Sequence, residues 1–221
     1  AVGMKFLLTS AGISNASIEK ALFELLDKPA SEVKVAFVPT AATLVADDKS
    51  WLIEDFQYFV KQGFESIDIV DISAVSRENW EKRFESADLI CFGGGDEQYL
   101  TRAMRESGVV EALPELLKTR VYMGISAGSM VVGKLLPSEL TKELWPEESF
   151  EGSEEGLGMY DFSILPHLNS DYFAHLRTPL IESMKDQFPR TVYALDDQSA
   201  LKVVGSDIEV VTEGDFLKIE K

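Results

Sequence analysis

Cysteine is almost missing from this 221-residue chain, and the one thiol, Cys91, excludes an internal disulfide framework and any multi-cysteine metal site. Histidine is nearly as scarce: any chemistry that needs an imidazole must use His167 or His175. No apolar run is long enough to span a bilayer and no secretory hydrophobic region is evident, so a reducing cytoplasm is the expected location. Positive charge is in deficit. Lysine and arginine number 21 against 38 aspartates and glutamates, a net charge of -17 that is scattered along the chain instead of gathered in a tail. Such a surface repels phosphate backbones and anionic lipid, so neither nucleic acid nor membrane is expected as a partner; a small molecule or short peptide is.

What is present is an ordinary globular composition, 45% hydrophobic and 27% charged, over a length that supports one full-sized core. One domain over residues 4–221 is expected, with Ala1, Val2 and Gly3, ahead of Met4, reading as a vector-derived remnant. Apolar, β-rich runs at 5–10, 33–40, 65–70, 87–95 and 120–126 alternate with helically spaced apolar residues at 17–27, 47–62, 77–86 and 96–119. Near-continuous apolar strands joined by helices imply a parallel sheet covered on both faces. After residue 190 the rhythm changes to short strands separated by turn residues, which predicts antiparallel hairpins at a sheet edge. Residues 137–158 hold seven glutamates and little periodicity, and read as one long irregular stretch of the kind that carries function or is disordered.

In open α/β sheets ligands gather beyond the carboxyl ends of the strands, and two of those ends are glycine-rich here. VYMGISAGSM (121–130) contains G-x-S-x-G between a strand and a helix, the setting of a nucleophile elbow. Gly124 and Gly128 give clearance for a strained turn that pushes the Ser126 hydroxyl out of the sheet, and the helix start frees the Ala127 N–H for a developing oxyanion. Gly93-Gly94-Gly95 ends the preceding strand and offers exposed amides as a second donor. Phosphate binding is disfavoured there, since GGGDEQ is neither G-x-G-x-x-G nor a lysine-bearing P-loop, and Asp96 and Glu97 repel phosphate. Cys91, within the strand, reads as a small buried hydrophobe.

A serine needs a base. His167, in FSILPHLN, falls at the end of an apolar run and so at the right edge of a sheet, whereas His175 in DYFAHLRT has a helical setting suited to a packed or solvated role. The carboxylate that orients the imidazole has many candidates in the irregular stretch, Glu139, Glu143, Glu147, Glu148, Glu151, Glu154 and Glu155, among which the sequence does not choose.

Taken in order, GGGDEQYL, GISAGSM and ILPHLN resemble the peptidase E family of serine peptidases, whose relatives include cyanophycinase; the likeness runs from Met4 to the last hairpins. The resemblance implies a three-layer α/β/α fold like that of class I glutamine amidotransferases, and hydrolysis of short peptides through an acyl-enzyme with no cofactor or metal. It implies Ser126 as nucleophile, His167 as general base, the amides of Gly94 or Gly95 and Ala127 as oxyanion donors, and Glu143 as the acidic member by its distance from the serine. Peptidase E proper removes an N-terminal aspartate from dipeptides, and Arg177 stands where the family's carboxylate-pairing arginine is expected. One departure concerns specificity. Asp96-Glu97-Gln98 stands where peptidase E has Asn-Thr-Phe, closer to cyanophycinase, and acid at Asp96 disfavours an anionic substrate end while favouring an ammonium or guanidinium group. Three alternatives remain: a cyanophycinase-like isoaspartyl peptidase, a catalytically silent peptide- or metabolite-binding module on the same scaffold, and a general α/β-hydrolase esterase.

Overall fold

The computed structural model describes residues 3–148 and 152–221. Its main sheet has seven strands in the order β3-β2-β4-β5-β1-β8-β9, where β1 is Lys5–Thr9, β2 Lys34–Val38, β3 Ser66–Ile69, β4 Leu89–Phe92, β5 Val121–Ile125, β8 Ser199–Val204 and β9 Asp207–Thr212. The five strands from β3 to β1 run parallel, and β8 and β9 close one edge antiparallel. A second sheet holds β6 (Phe162–Leu165), β7 (Thr191–Leu195) and β10 (Phe216–Ile219) in the order β10-β7-β6.

Period-two alternation within continuous apolar strands sorts their side chains to two faces. Phe6, Ala36, Ile90, Phe92 and Tyr122 pack with Trp80 and Phe84 of α3 (Arg77–Ser86), Leu100 and Met104 of α4 (Glu97–Glu106) and Leu113 of α5 (Val109–Leu116). Leu7, Val35, Phe37, Cys91 and Met123 pack on the other side with Ile18 and Leu22 of α1 (Ala16–Leu26) and Phe59 of α2 (Ser50–Lys61). These are the three layers implied at the outset. A third apolar cluster lies under the second sheet, where Leu140 and Leu144 of α7 (Ser138–Leu144) and Ile181 of α8 (Thr178–Ser183) meet Leu165 and Ala194. The short α6 (Ala127–Met130) joins β5 to that region.

Four expectations change. The helical pattern at 96–119 is two helices, α4 and α5, because Gly108 takes φ 88° and breaks the run. The late strands do not form consecutive hairpins: β8 and β9 are a true hairpin on the main sheet, whereas β7 pairs parallel with β6 and antiparallel with β10. Residues 171–177 are turns instead of helix; the helix starts only at Thr178, with Pro179 in its first turn, where the ring's missing N–H costs nothing. The stretch 137–158 is not wholly irregular either, since Leu140 and Leu144, spaced i and i+4, bury one face of α7.

Candidate active site

The carboxyl ends of β4, β5 and β1 meet at Ser126. Its backbone has φ 52° and ψ -110°, a conformation costly for any side-chain-bearing residue, of the kind retained where surrounding structure dictates it. The surroundings leave no other path: a Cβ on Gly128 would stand 1.8 Å from the Phe92 carbonyl oxygen, and one on Gly124 would stand 2.6 Å from the Ser129 nitrogen and hydroxyl. The turn closes against β4 only because both positions lack side chains. Thr9 supports it from β1, accepting the Ser126 N–H on its carbonyl at 3.1 Å and giving its hydroxyl to the Gly124 carbonyl at 2.7 Å.

Ser126 Oγ lies 2.9 Å from His167 Nε2, and His167 Nδ1 lies 2.7 Å from Asp197 Oδ1. His167 follows β6 with φ 65°, so its strand end too is bent to aim a side chain inward. The Phe173 ring stacks on the imidazole at 4.9 Å between centroids. Ser10, fully buried at the end of β1, ties the group together: its hydroxyl accepts the His167 N–H at 2.8 Å and donates to Asp197 Oδ1 at 3.1 Å. Burial alone would raise the Asp197 carboxyl, but hydrogen bonds from His167, Ser10 and Ser170 and the nearby imidazole outweigh it and hold the pKa below the usual aspartate value.

Asp197, and not Glu143, is therefore the carboxylate on the imidazole. Glu143 is exposed on α7, as Glu139 is, and Glu147, Glu148, Glu154 and Glu155 are also exposed, while Glu151 lies outside the described residues. The physical reason is topological. β7 pairs parallel with β6 and ends level with it, so residues just past Leu195 meet His167 just past Leu165. The doublet Asp196-Asp197 divides the work there: Asp196 accepts from Gln198 N–H at 2.9 Å, Ser199 Oγ at 2.6 Å and Asp215 N–H at 2.6 Å and thereby holds the turn, which leaves Asp197 for the histidine.

Gly94 sits against Ser126, where an added Cβ would come 3.4 Å from the serine Cβ. The glycine loop is pinned on both sides, Gly93 N–H to the Val38 carbonyl at 3.0 Å and Asp96 N–H to the Ala41 carbonyl at 2.9 Å. Between the pins the N–H groups of Gly94 and Gly95, like that of Ala127, meet no acceptor among the described residues. Gly95 is required by geometry: at φ 138° a Cβ would overlap the Ala41 carbonyl at 2.1 Å. Trp51 of α2 lies beside Gly94, its ring 3.6 Å from where a Cβ would stand.

The acid at position 96 does not stand free, for its carboxylate caps α4 by accepting the Tyr99 N–H at 2.7 Å. Glu148 is close enough to feel both Asp96 and His167; burial and Asp96 raise its carboxyl and the imidazole lowers it, with a net rise. Arg177 is half-buried, and its guanidinium makes no hydrogen bond or ion pair with the described residues. His175 is exposed, and the ring that meets Ser126 is that of His167. Cys91 is fully buried, and burial pushes its thiol well above the ordinary range. Asp197 and Ser10 escape a reading by motif, but both stand just past strands, TVYAL and KFLLT, and the rule that singled out the glycine turns applies equally to them.

Fold and site together define a three-layer α/β protein whose serine, histidine and aspartate form one hydrogen-bonded row at the ends of the sheet strands. The sequence pattern of peptidase family S51 matches residues 6–211, and the chain belongs to that family. Peptidase E of Actinobacillus pleuropneumoniae serotype 5b is 26% identical over 190 residues, 83% of this chain and 77% of that protein. An uncharacterized peptidase of Listeria monocytogenes is 22% identical over 182 residues, 79% of this chain and 83% of its own length. Among solved structures, a Listeria monocytogenes protein classed provisionally as peptidase E superposes with a TM-score of 0.76 at 19% identity, covering 97% of this chain and all of its own. A peptidase from an acI-B1 Actinobacterium gives 0.72 at 19% identity, covering 99% and 91%. Family membership makes the chain a peptidase, a hydrolase.

Proposed function

We propose that the chain is a serine exopeptidase that hydrolyses short peptides through an acyl-enzyme. The observation that carries this reading is the uninterrupted row from Ser126 Oγ through the His167 ring to Asp197, at 2.9 and 2.7 Å, beside three unused main-chain N–H groups. His167 Nε2 takes the hydroxyl proton as Ser126 Oγ bonds to the scissile carbonyl carbon. Nδ1–H donates to Asp197, which keeps the imidazole in the tautomer that accepts at Nε2 and stabilises the imidazolium. The carbonyl oxygen becomes an oxyanion in reach of Ala127 N–H and the Gly94 or Gly95 N–H. The C–N bond then breaks, the amine leaves with the proton held on Nε2, and a water activated by the same nitrogen cleaves the ester.

Restriction to short peptides is supported by the groups crowding the pair: Trp51 against Gly94, Phe173 stacked on the imidazole, and Glu148 within electrostatic reach of it. Aspartyl dipeptides are a weaker fit: Asp96 and Glu148 present negative charge, and Arg177 makes no contact with the serine or histidine. A silent binding module would suit a histidine without a carboxylate partner, and Asp197 supplies one. The test is exposure of the folded protein to a fluorophosphonate followed by mass spectrometry. An adduct at Ser126, absent when Asp197→Asn is treated for the same short time, supports an activated serine; intact Ser126 across a range of probes sinks it.

A further inference from the structure

A cavity of about 60 Å³, lined by neither Ser126 nor His167, opens against residues close to both in sequence. Its walls come from the elements that carry the pair: Met130 ends the helix that begins one residue after Ser126, and Ile164 and Leu165 end the strand that leads to His167. Glu97 and Gln98 of α4, Ser138 and Thr141 of α7, and Ser153 and Glu154 make the polar part. Glu97 is the anomaly. Only 9% of it is exposed, yet no cation and no donor from any other described residue reaches its carboxylate. A buried carboxylate without a partner is costly enough that proteins seldom keep one where nothing calls for it.

We propose, resting on the hydrolase reading above, that this cavity is the specificity pocket of the peptidase and that the Glu97 carboxylate receives a primary ammonium carried on an alkyl arm, a lysyl or ornithyl side chain of the substrate. Charge favours that occupant and the volume admits it. An ammonium supplies the missing counter-charge and three donors, one for Glu97 and the others for the hydroxyl oxygens of Ser138 and Thr141. The volume is several times the roughly 10–15 Å³ that holds one water, enough for an ammonium and its nearest methylenes. Burial pushes the Glu97 carboxyl up to about 7; its own main-chain N–H opposes that rise and Asp96 and Glu148 add to it, so an arriving cation relieves both desolvation and repulsion. Asp96 and Glu148 also repel an acidic side chain, which turns the pocket away from aspartyl substrates.

Two readouts test this. In the first, kcat/KM is compared for lysyl, ornithyl, arginyl, leucyl and aspartyl dipeptides in the wild type and in Glu97→Gln, which keeps size and hydrogen bonding but removes charge. Lysyl and ornithyl substrates are expected to lead in the wild type and to lose on the order of 10²-fold in the variant, the value of a charge-assisted contact of about 3 kcal/mol, while leucyl substrates change less than about threefold. A wild type that prefers aspartyl or leucyl peptides, an equal loss across all substrates, or arginyl substrates in the lead overturns the assignment. In the second, titration calorimetry with n-butylammonium reads the pocket without turnover: binding to the wild type, weakened at least tenfold in Glu97→Gln, is expected. Absence of binding, or equal binding to both, defeats the pocket even if Ser126 takes a fluorophosphonate, and an unreactive Ser126 defeats the hydrolase reading whatever the calorimeter shows.

Discussion

Asp197 is the residue on which the catalytic reading can be tested most sharply. Its carboxylate holds His167 Nδ1 at 2.7 Å, and Asn in its place can donate to Nδ1 and so favour the wrong tautomer. Asp197→Asn is expected to lower kcat by about 10³-fold or more with the fold intact, whereas Glu143→Ala, on an exposed position, should leave peptide turnover within about twofold; a steady-state comparison of the two variants separates the assignments. Ser10 acts through its neighbours. Ser10→Ala removes both the acceptor for His167 N–H and a donor to Asp197, and should shift the pH profile of kcat/KM while a Ser10→Thr variant restores part of it. Glu97 makes an opposite kind of statement. Its carboxyl is raised to about 7, so between the unfolded value near 4.3 and that figure the folded state binds more protons than the unfolded, and stability falls as pH rises. Glu97→Gln should therefore be more stable than the wild type by on the order of 2 kcal/mol at pH 8, an advantage that fades toward pH 4, as urea unfolding at the two pH values would show.

At the scale of elements, the site depends on close backbone approach more than on side-chain packing. The turn from β5 into α6 passes so near β4 that Gly128 admits no Cβ, and the loop after β4 passes so near Ala41 that Gly95 admits none. Gly95→Ala must move the loop by more than its two pins allow, or break them, and either outcome displaces the N–H groups of Gly94 and Gly95 from beside Ser126. The expected result is a loss of roughly 3 kcal/mol in stability, measured by denaturation, together with a fall in kcat of about 10²-fold as the second oxyanion donor is misplaced. These elements were legible. Strand-terminal glycines announce their own reason, so Gly94, Gly95, Ser126 and the helix start at Ala127 could be read as one turn system from the linear chain. The break of one helix into α4 and α5 at Gly108 was not, since an apolar spacing continues across a glycine whether or not the backbone does.

For the whole molecule, a net charge of -17 sets the long-range field in which a substrate arrives. If lysyl peptides are the preferred class, their kcat/KM should fall as salt rises from 20 to roughly 300 mM while that of neutral peptides stays level, because screening removes attraction only from the charged ligand. The amino-acid order by itself pointed to the layers: apolar strands alternating with amphipathic helices call for a mostly parallel sheet with its strands buried, and a glycine-flanked serine at a strand end has few reasons to be there. It also placed His167, one of the two histidines, at a strand terminus. Which acid faces that histidine was decided only in three dimensions. Asp197 is 30 residues from His167 along the chain and Ser10 is 157, and they come together because β7 ends beside β6 and β8 lies along β1. Local pattern carries the preference for helix, strand and turn, which are interactions between near neighbours. Strand order and register come from burying those faces together, and the carboxylate's partner is a consequence of that register.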